Sequence, residues 1–174
     1  FKLVSERLEQ VQRGLGEIGK GVGRGILVHA MLALDAADES CLGLVAGEIW
    51  TRRGRVAAPH KKRALSDKES RRWVTTAQCA KTGLAAAETV TVIADRESDF
   101  YEEWASVPGP GFHLLTRVMQ DRRLANGDSL YGVGESLADA GTAVIELRAR
   151  GAAPARRAKL TLRFGRVTVR RPQG

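Results

Sequence analysis

Asp95, Arg96 and Glu97 are the residues best placed to do chemistry, because they follow directly on a short apolar run, Val90 to Ala94. Val90, Val92 and Ile93 are β-branched, the composition of a buried strand. A carboxylate at the C-terminal edge of such a strand is costly unless it has a partner. Ligands of α/β folds gather at strand C-terminal ends, so Asp95 is placed to hold a divalent cation through oxygen. The same residue also suits a plain turn, with Arg96 or backbone amides satisfying the carboxylate. Ser98 and Asp99 are candidates to cap a short helix whose apolar residues Phe100, Tyr101 and Trp104 recur at helical spacing.

Cations form the second chemical feature. Nine Lys and Arg fall between Arg52 and Arg72, against Asp67 and Glu69 only. Lys61, Lys62, Arg63, Arg71 and Arg72 could track phosphates or could simply form a solvated face. Gly21-Val22-Gly23 has no Lys-Ser/Thr after it, so a flexible approach to the first strand is the better reading than a phosphate loop. His29 lies inside an apolar run and reads as a core histidine. Cys41 and Cys79 have neither CxxC nor His spacing and read as free thiols.

The elements that must position these residues follow from periodicity. Residues 25–34 and 41–50 are strand-like and are joined by a polar connection, 35–40, which predicts an antiparallel hairpin. Residues 51–65 read as a polar loop. Ser66 with Glu69 forms a Ser-x-x-Glu capping box, so a helix is expected to open there and to carry Trp73, Ala77 and Ala80 on one face. After the strand ending at Ala94 come the short helix, a Pro-Gly-Pro-Gly turn at 108–111 and another strand, 112–118. From Met119 the texture changes: Asn126-Gly127 marks a turn, 129–140 is irregular or briefly helical, and 142–148 alternates as a strand. Residues 159–164 and 166–170 are expected to form a hairpin about Gly165. The organisation expected is a mixed sheet with helices over 1–118 and an antiparallel unit over 119–174.

The totals bound the class. The chain has 174 residues, 43% of them hydrophobic, enough for one sizeable core or a core plus a small second unit. Lys and Arg number 28 against 20 Asp and Glu, a net charge of +8 and a pI near 10.1. Residues 119–174 hold 11 basic and 5 acidic side chains, so +6 of the charge falls there, Arg122 and Arg123 included. Such a balance favours polyanionic partners, nucleic acid above all. No apolar run reaches membrane-spanning length and no signal peptide is visible, so no membrane partner is expected. Phe1 and the basic tail 167–174 read as cut rather than natural ends.

Ile93-Ala94-Asp95-Arg96-Glu97-Ser98-Asp99 resembles the motif of bacterial DDE transposases of the insertion-sequence type, specifically the Tn-five/IS-four group. There a strand ends in Asp-Arg-Glu-x-Asp, and the first Asp is the second of three catalytic carboxylates. The likeness extends along the chain. Leu15-Gly16-Glu17-Ile18-Gly19 and Gly25-Ile26-Leu27-Val28-His29-Ala30 resemble the approach to the family's second strand. Glu48-Ile49-Trp50 resembles the end of the third, Lys68-Glu69-Ser70-Arg71-Arg72-Trp73 a helix start, and Phe112-His113-Leu114-Leu115-Thr116-Arg117 the strand that follows. Ser129-Leu130-Tyr131 and Ala158-Lys159-Leu160-Thr161-Leu162-Arg163-Phe164-Gly165-Arg166-Val167 resemble the β insertion these enzymes carry.

The resemblance implies an α/β, RNase H-like mixed sheet interrupted by an antiparallel β insertion that is truncated here. It implies three carboxylates holding two Mg²⁺ or Mn²⁺ ions for in-line attack on a DNA phosphodiester. Asp95 is then catalytic and a metal ligand, and Arg117 contacts DNA near the site. Arg96 and Glu97 support the motif, Glu97 by orienting Arg96 or a metal-bound water. Double-stranded DNA, as transposon ends and target, is the partner implied. A homodimer of the complete enzyme and a bacterial, cytoplasmic, nucleoid-associated location are compatible with it. The first Asp is expected before Phe1 and the final Glu, in a Tyr-x-x-Arg-x-x-x-Glu segment, after Gly174. Alone, this piece is therefore expected to be inactive. The alternatives are a non-catalytic basic nucleic-acid-binding domain, an RNase H-like nuclease fragment, or an assembly role for the basic insertion.

Overall fold

A computed structural model of the chain describes residues 2–5, 14–18, 23–52 and 68–172. The chain is mixed α/β and divides into two compact units, Phe1–Arg117 and Val118–Gly174.

In the first unit, the alternating run becomes a long strand, β3 (Arg24–Leu34), paired antiparallel with β4 (Cys41–Trp50) from Leu27↔Trp50 to Leu34↔Cys41. The connecting turn is held by its own acids: Asp35 accepts from the Ala37 N–H and Asp38 from the Ser40 N–H. Two short strands, β1 (Lys2–Ser5) and β2 (Gly16–Glu17), pair with the start of β3. Leu27 pairs with both Lys2 and Trp50, so β1 and β4 occupy opposite edges of β3.

β5 (Val90–Ala94) and β6 (Phe112–Thr116) form a parallel pair in register from Val90↔Phe112 to Ala94↔Thr116. Parallel strands need a crossover. Here it consists of one 3₁₀ turn (Arg96–Ser98), helix α2 (Tyr101–Ser106) and the turn into β6. That turn requires glycine at Gly111, where φ is +66° and a Cβ would lie 2.9 Å from the Glu88 carbonyl oxygen.

Helix α1 (Arg71–Gly83) turns Thr76, Ala77 and Ala80 inward at helical spacing. Ala77 and Ala80 meet Val92, Val107 and Phe112, with Met31, Val45, Val74, Val90 and Leu114 packed around them. One small apolar core thus joins α1, the β3–β4 sheet and the parallel pair. The other face of the parallel pair leaves Ile93 and Leu115, which are cross-strand partners, exposed.

The expected capping box falls on Ser66, which lies outside the described residues. α1 begins at Arg71, and its N-cap Ser70 makes no side-chain cap bond. The Glu69 carboxylate is held by Arg52 through two hydrogen bonds of 2.6 Å, a bidentate, charge-assisted pair.

In the second unit, helix α3 (Leu130–Ser136) is capped by Ser129, whose Oγ accepts from the Gly132 N–H at 3.0 Å. β7 (Gly141–Leu147) pairs antiparallel with β8 (Arg156–Leu162) from Gly141↔Leu162 to Leu147↔Arg156. The hairpin expected about Gly165 is therefore replaced by another pairing. β8 takes β7 as its partner, and Val169 bridges Leu124 instead. Gly165 lies close against Leu137, whose Cδ2 a Cβ there would approach to 2.9 Å. Period-two alternation marks a strand but does not name its partner.

Candidate functional site

The site is assembled at the C-terminal ends of the parallel pair. β5 stops at Ala94 because Asp95, still extended (φ −84°, ψ −172°), turns its carboxylate back on the chain. Oδ1 accepts from the Glu97 N–H at 2.8 Å and so caps the 3₁₀ turn. Across the pair, Thr116 Oγ1 donates to the Asp95 carbonyl oxygen at 3.0 Å, fastening the two strand ends together. The register Ala94↔Thr116 then places Asp95 and Arg117 as the next residues of neighbouring strands. Both are exposed, as are Arg96 and Glu97.

Beneath the turn the surface gives way to buried polar groups. Ser98 and Asp99 are buried, and so is Glu103 on α2. The N-cap position of α2 belongs to Phe100, so neither Ser98 nor Asp99 holds the capping place expected of it. Ser98 closes the 3₁₀ turn instead, through its N–H to the Asp95 carbonyl. Burial pushes the Glu103 carboxyl up to about 7.

Arg72 ties this turn to the rest of the unit. Its Nη2 donates to Glu97 Oε2 at 2.9 Å, its Nη1 to the Glu69 carbonyl oxygen at 2.7 Å, and its guanidinium lies 4.9 Å from the Trp50 ring centroid. Only 14% of that side chain is exposed. One cation thus bridges the residue before the N-cap of α1, the last residue of β4 and the turn after β5. Beside it, Arg71 pairs with Glu48 at 3.1 Å.

His29 lies in the same neighbourhood, edge-on to Trp73 with ring centroids 4.5 Å apart. Thr76 gives its hydroxyl proton to the Arg72 carbonyl, which makes His29 Nε2 the donor to Thr76 Oγ1 at 3.2 Å. Burial, and then the Arg72 charge, lower its pKa, so the ring stays neutral at neutral pH. It is a half-buried, hydrogen-bonded histidine.

The structure therefore brings Asp95, Arg96, Glu97 and Arg117 to one strand edge, with Arg71 and Arg72 held in ion pairs on α1. Lys61, Lys62 and Arg63 lie outside the described residues. Arg122 and Arg123 belong to the second unit, where Arg123 Nη1 donates to the Gly127 carbonyl. Sequence reasoning missed Thr116, the Trp50–Arg72–Glu97 stack and the burial of Glu103. None of these carried a signal in the sequence, since each depends on partners far along the chain or on burial set by the fold.

An exposed carboxylate is the right donor type for Mg²⁺ or Mn²⁺. It is one donor, however, and among the described residues no group of three or more His, Cys, Asp or Glu side chains could hold a metal ion. The described residues therefore do not by themselves form a metal site. No helix among them is long and apolar enough to cross a membrane. No family model matches the chain.

The Arg72 bridge carries a first expectation. Arg72→Ala should lower stability to denaturant by about 1–2 kcal/mol, because it removes a charge-assisted bond and a cation–π contact together. Arg72→Lys should recover only part of this, since an ammonium lacks the planar guanidinium that stacks on an indole while donating in its own plane. Unfolding followed by tryptophan fluorescence measures both. Wild-type stability in the alanine variant would show that the bridge holds nothing in place.

Proposed function

We propose that this chain is the central part of a cut-and-paste DNA transposase of the DDE type, similar to the Tn-five/IS-four group. In this reading the first unit is part of an RNase H-like catalytic core, and the second is the start of its antiparallel β insertion. Asp95 supplies one of three carboxylates to a site for Mg²⁺ or Mn²⁺, and the other two come from beyond this chain. The ions would supply activation of the attacking oxygen and stabilisation of the leaving one at a DNA phosphodiester. The chain's own contribution is to hold a negative charge at a strand edge while placing cations beside it for DNA.

One observation carries the reading: the exposed Asp95 carboxylate ends a strand of a parallel pair, with Arg117 next to it at the end of the partner strand. Ligands of open α/β sheets collect at such edges. The exposed Ile93–Leu115 face lends further support. Parallel strands are ordinarily covered on both faces, as they would be in a larger catalytic core.

The deciding test is Mg²⁺-dependent strand cleavage by a polypeptide that also carries the segments on either side, with Asp95 intact or changed to Asn. Arg117 gives a second. If it engages a backbone phosphate, Arg117→Ala should weaken duplex binding whatever the sequence and lower the slope of log K against log salt by about 1. A salt titration by fluorescence anisotropy reads this. Unchanged binding and slope would remove Arg117 from the DNA surface.

A further inference from the structure

The Asn126-Gly127 turn of the second unit sets a side-chain amide beside a main-chain nitrogen that no side chain shields, and the Asp95 site uses neither. The Leu124 N–H donates to the Asp128 carbonyl at 2.9 Å and the Gly127 N–H to the Leu124 carbonyl at 3.1 Å. The loop closes on Gly127 in the left-handed region, at φ +92°. Asn126, Gly127 and Asp128 are all exposed, and a Cβ built on Gly127 would meet nothing within 4 Å, so solvent reaches this nitrogen freely. The Asn126 carboxamide is clipped to Asp128 at both of its polar atoms. Nδ2 donates to Asp128 Oδ2 at 2.8 Å, and Oδ1 accepts from the Asp128 N–H at 3.1 Å. The turn matters beyond itself, because Leu124 at its start is buried and bridges Val169.

We infer that Asn126 is a site of spontaneous modification, converting through a cyclic imide to aspartate and isoaspartate at a rate that Asp128 holds down. The Gly127 nitrogen gives its proton to solvent base and attacks Asn126 Cγ. The new N–Cγ bond closes a five-membered ring, the Cγ–Nδ2 bond breaks, and Nδ2 leaves as ammonia with a proton from water. Water then opens the ring at either carbonyl. Glycine at 127 offers no side chain to hinder closure and leaves the backbone free to rotate into it. The folded turn opposes the reaction, since the Gly127 N–H and the Asn126 amide must both leave their acceptors first. Either product sets a second carboxylate against Asp128, and isoaspartate also adds a methylene to the main chain of a turn that Arg123 Nη1 braces at the Gly127 carbonyl. Conversion therefore loosens the second unit with age, and it requires neither DNA nor Asp95.

The test is peptide mapping by mass spectrometry on the purified protein, incubated in mildly alkaline buffer and sampled over weeks, folded and in denaturant. Conversion at Asn126 should be slower in the folded chain than in denaturant. Asp128→Ala should speed it in the folded chain by about three- to tenfold, the worth of one hydrogen bond, and leave the rate in denaturant unchanged. Should the alanine variant loosen the unit as a whole, Asp128→Asn keeps an acceptor oxygen in place and should return most of the wild-type rate. Equal rates in folded and unfolded wild type would overturn the inference, as would no conversion in denaturant. So would an alanine variant no faster than wild type when folded, or one faster by the same factor in denaturant, which would make local sequence and not the folded clip the cause.

Discussion

Glu103→Gln should be more stable than the wild type at pH 8, by on the order of 2–3 kcal/mol, and the two should converge near pH 4. The cause is one buried acid. Glu103 sits on α2 with no exposed surface, and neither carboxylate oxygen completes a hydrogen bond of good geometry. Burial dominates and pushes its pKa up to about 7, and the Ser98 hydroxyl facing it offsets this only in part. A carboxyl raised in the folded state favours folding most when it is protonated in both states. Its contribution is therefore complete below the ordinary value of 4.5 and is lost as pH rises through about 7. Glutamine keeps the shape and the neutral polar head but cannot ionise, so the penalty between those values should vanish. Denaturant unfolding from pH 4 to pH 8 measures it. Parallel pH profiles for variant and wild type would mean that Glu103 titrates as an ordinary surface acid.

The same residue shows where sequence reading stops. A glutamate in a short helix, beside Glu102 and ahead of an alanine and a serine, gives local propensity no reason to place it inside. Its depth is decided by the crossover from β5 to β6, which turns one face of α2 inward. Features set by local pattern were legible: the β3–β4 hairpin from alternation about a polar turn, β5 from its β-branched run, and Asp95 at that strand's end. Features set by partner choice were not. β8 pairs with β7 where a hairpin about Gly165 was expected, since alternation is silent on which edge a strand will join. The Glu69 carboxylate meets Arg52, seventeen positions earlier, a partner that local pattern does not name. Arg72 is the instructive case for the site. As one of nine clustered cations it could track phosphate or simply be solvated; its bond to Glu97 and its place over Trp50 are set by the fold and could not be read from that cluster.

Asp95→Asn should abolish Mg²⁺-dependent strand cleavage, by on the order of a thousandfold or more, while leaving DNA retention and fold nearly intact. On the proposed reading the substitution separates a structural role of Asp95 from a catalytic one. Its structural role is to accept the Glu97 N–H and start the 3₁₀ turn, and an amide oxygen does this as well as a carboxylate. Thr116 bonds to the Asp95 main-chain carbonyl, which the substitution leaves alone. Stability should accordingly change by less than about 1 kcal/mol. The formal negative charge is what disappears, and it is what a hard cation requires of an exposed oxygen at this edge. Asp95→Ala is the complementary variant: it removes charge and cap together, so it should lose cleavage and about 1 kcal/mol of stability as well. Cleavage must be followed in a polypeptide that includes the flanking segments, with retention of duplex DNA measured in parallel. An asparagine variant that cuts at the wild-type rate would reduce Asp95 to a turn-former, and the transposase assignment would fall with it.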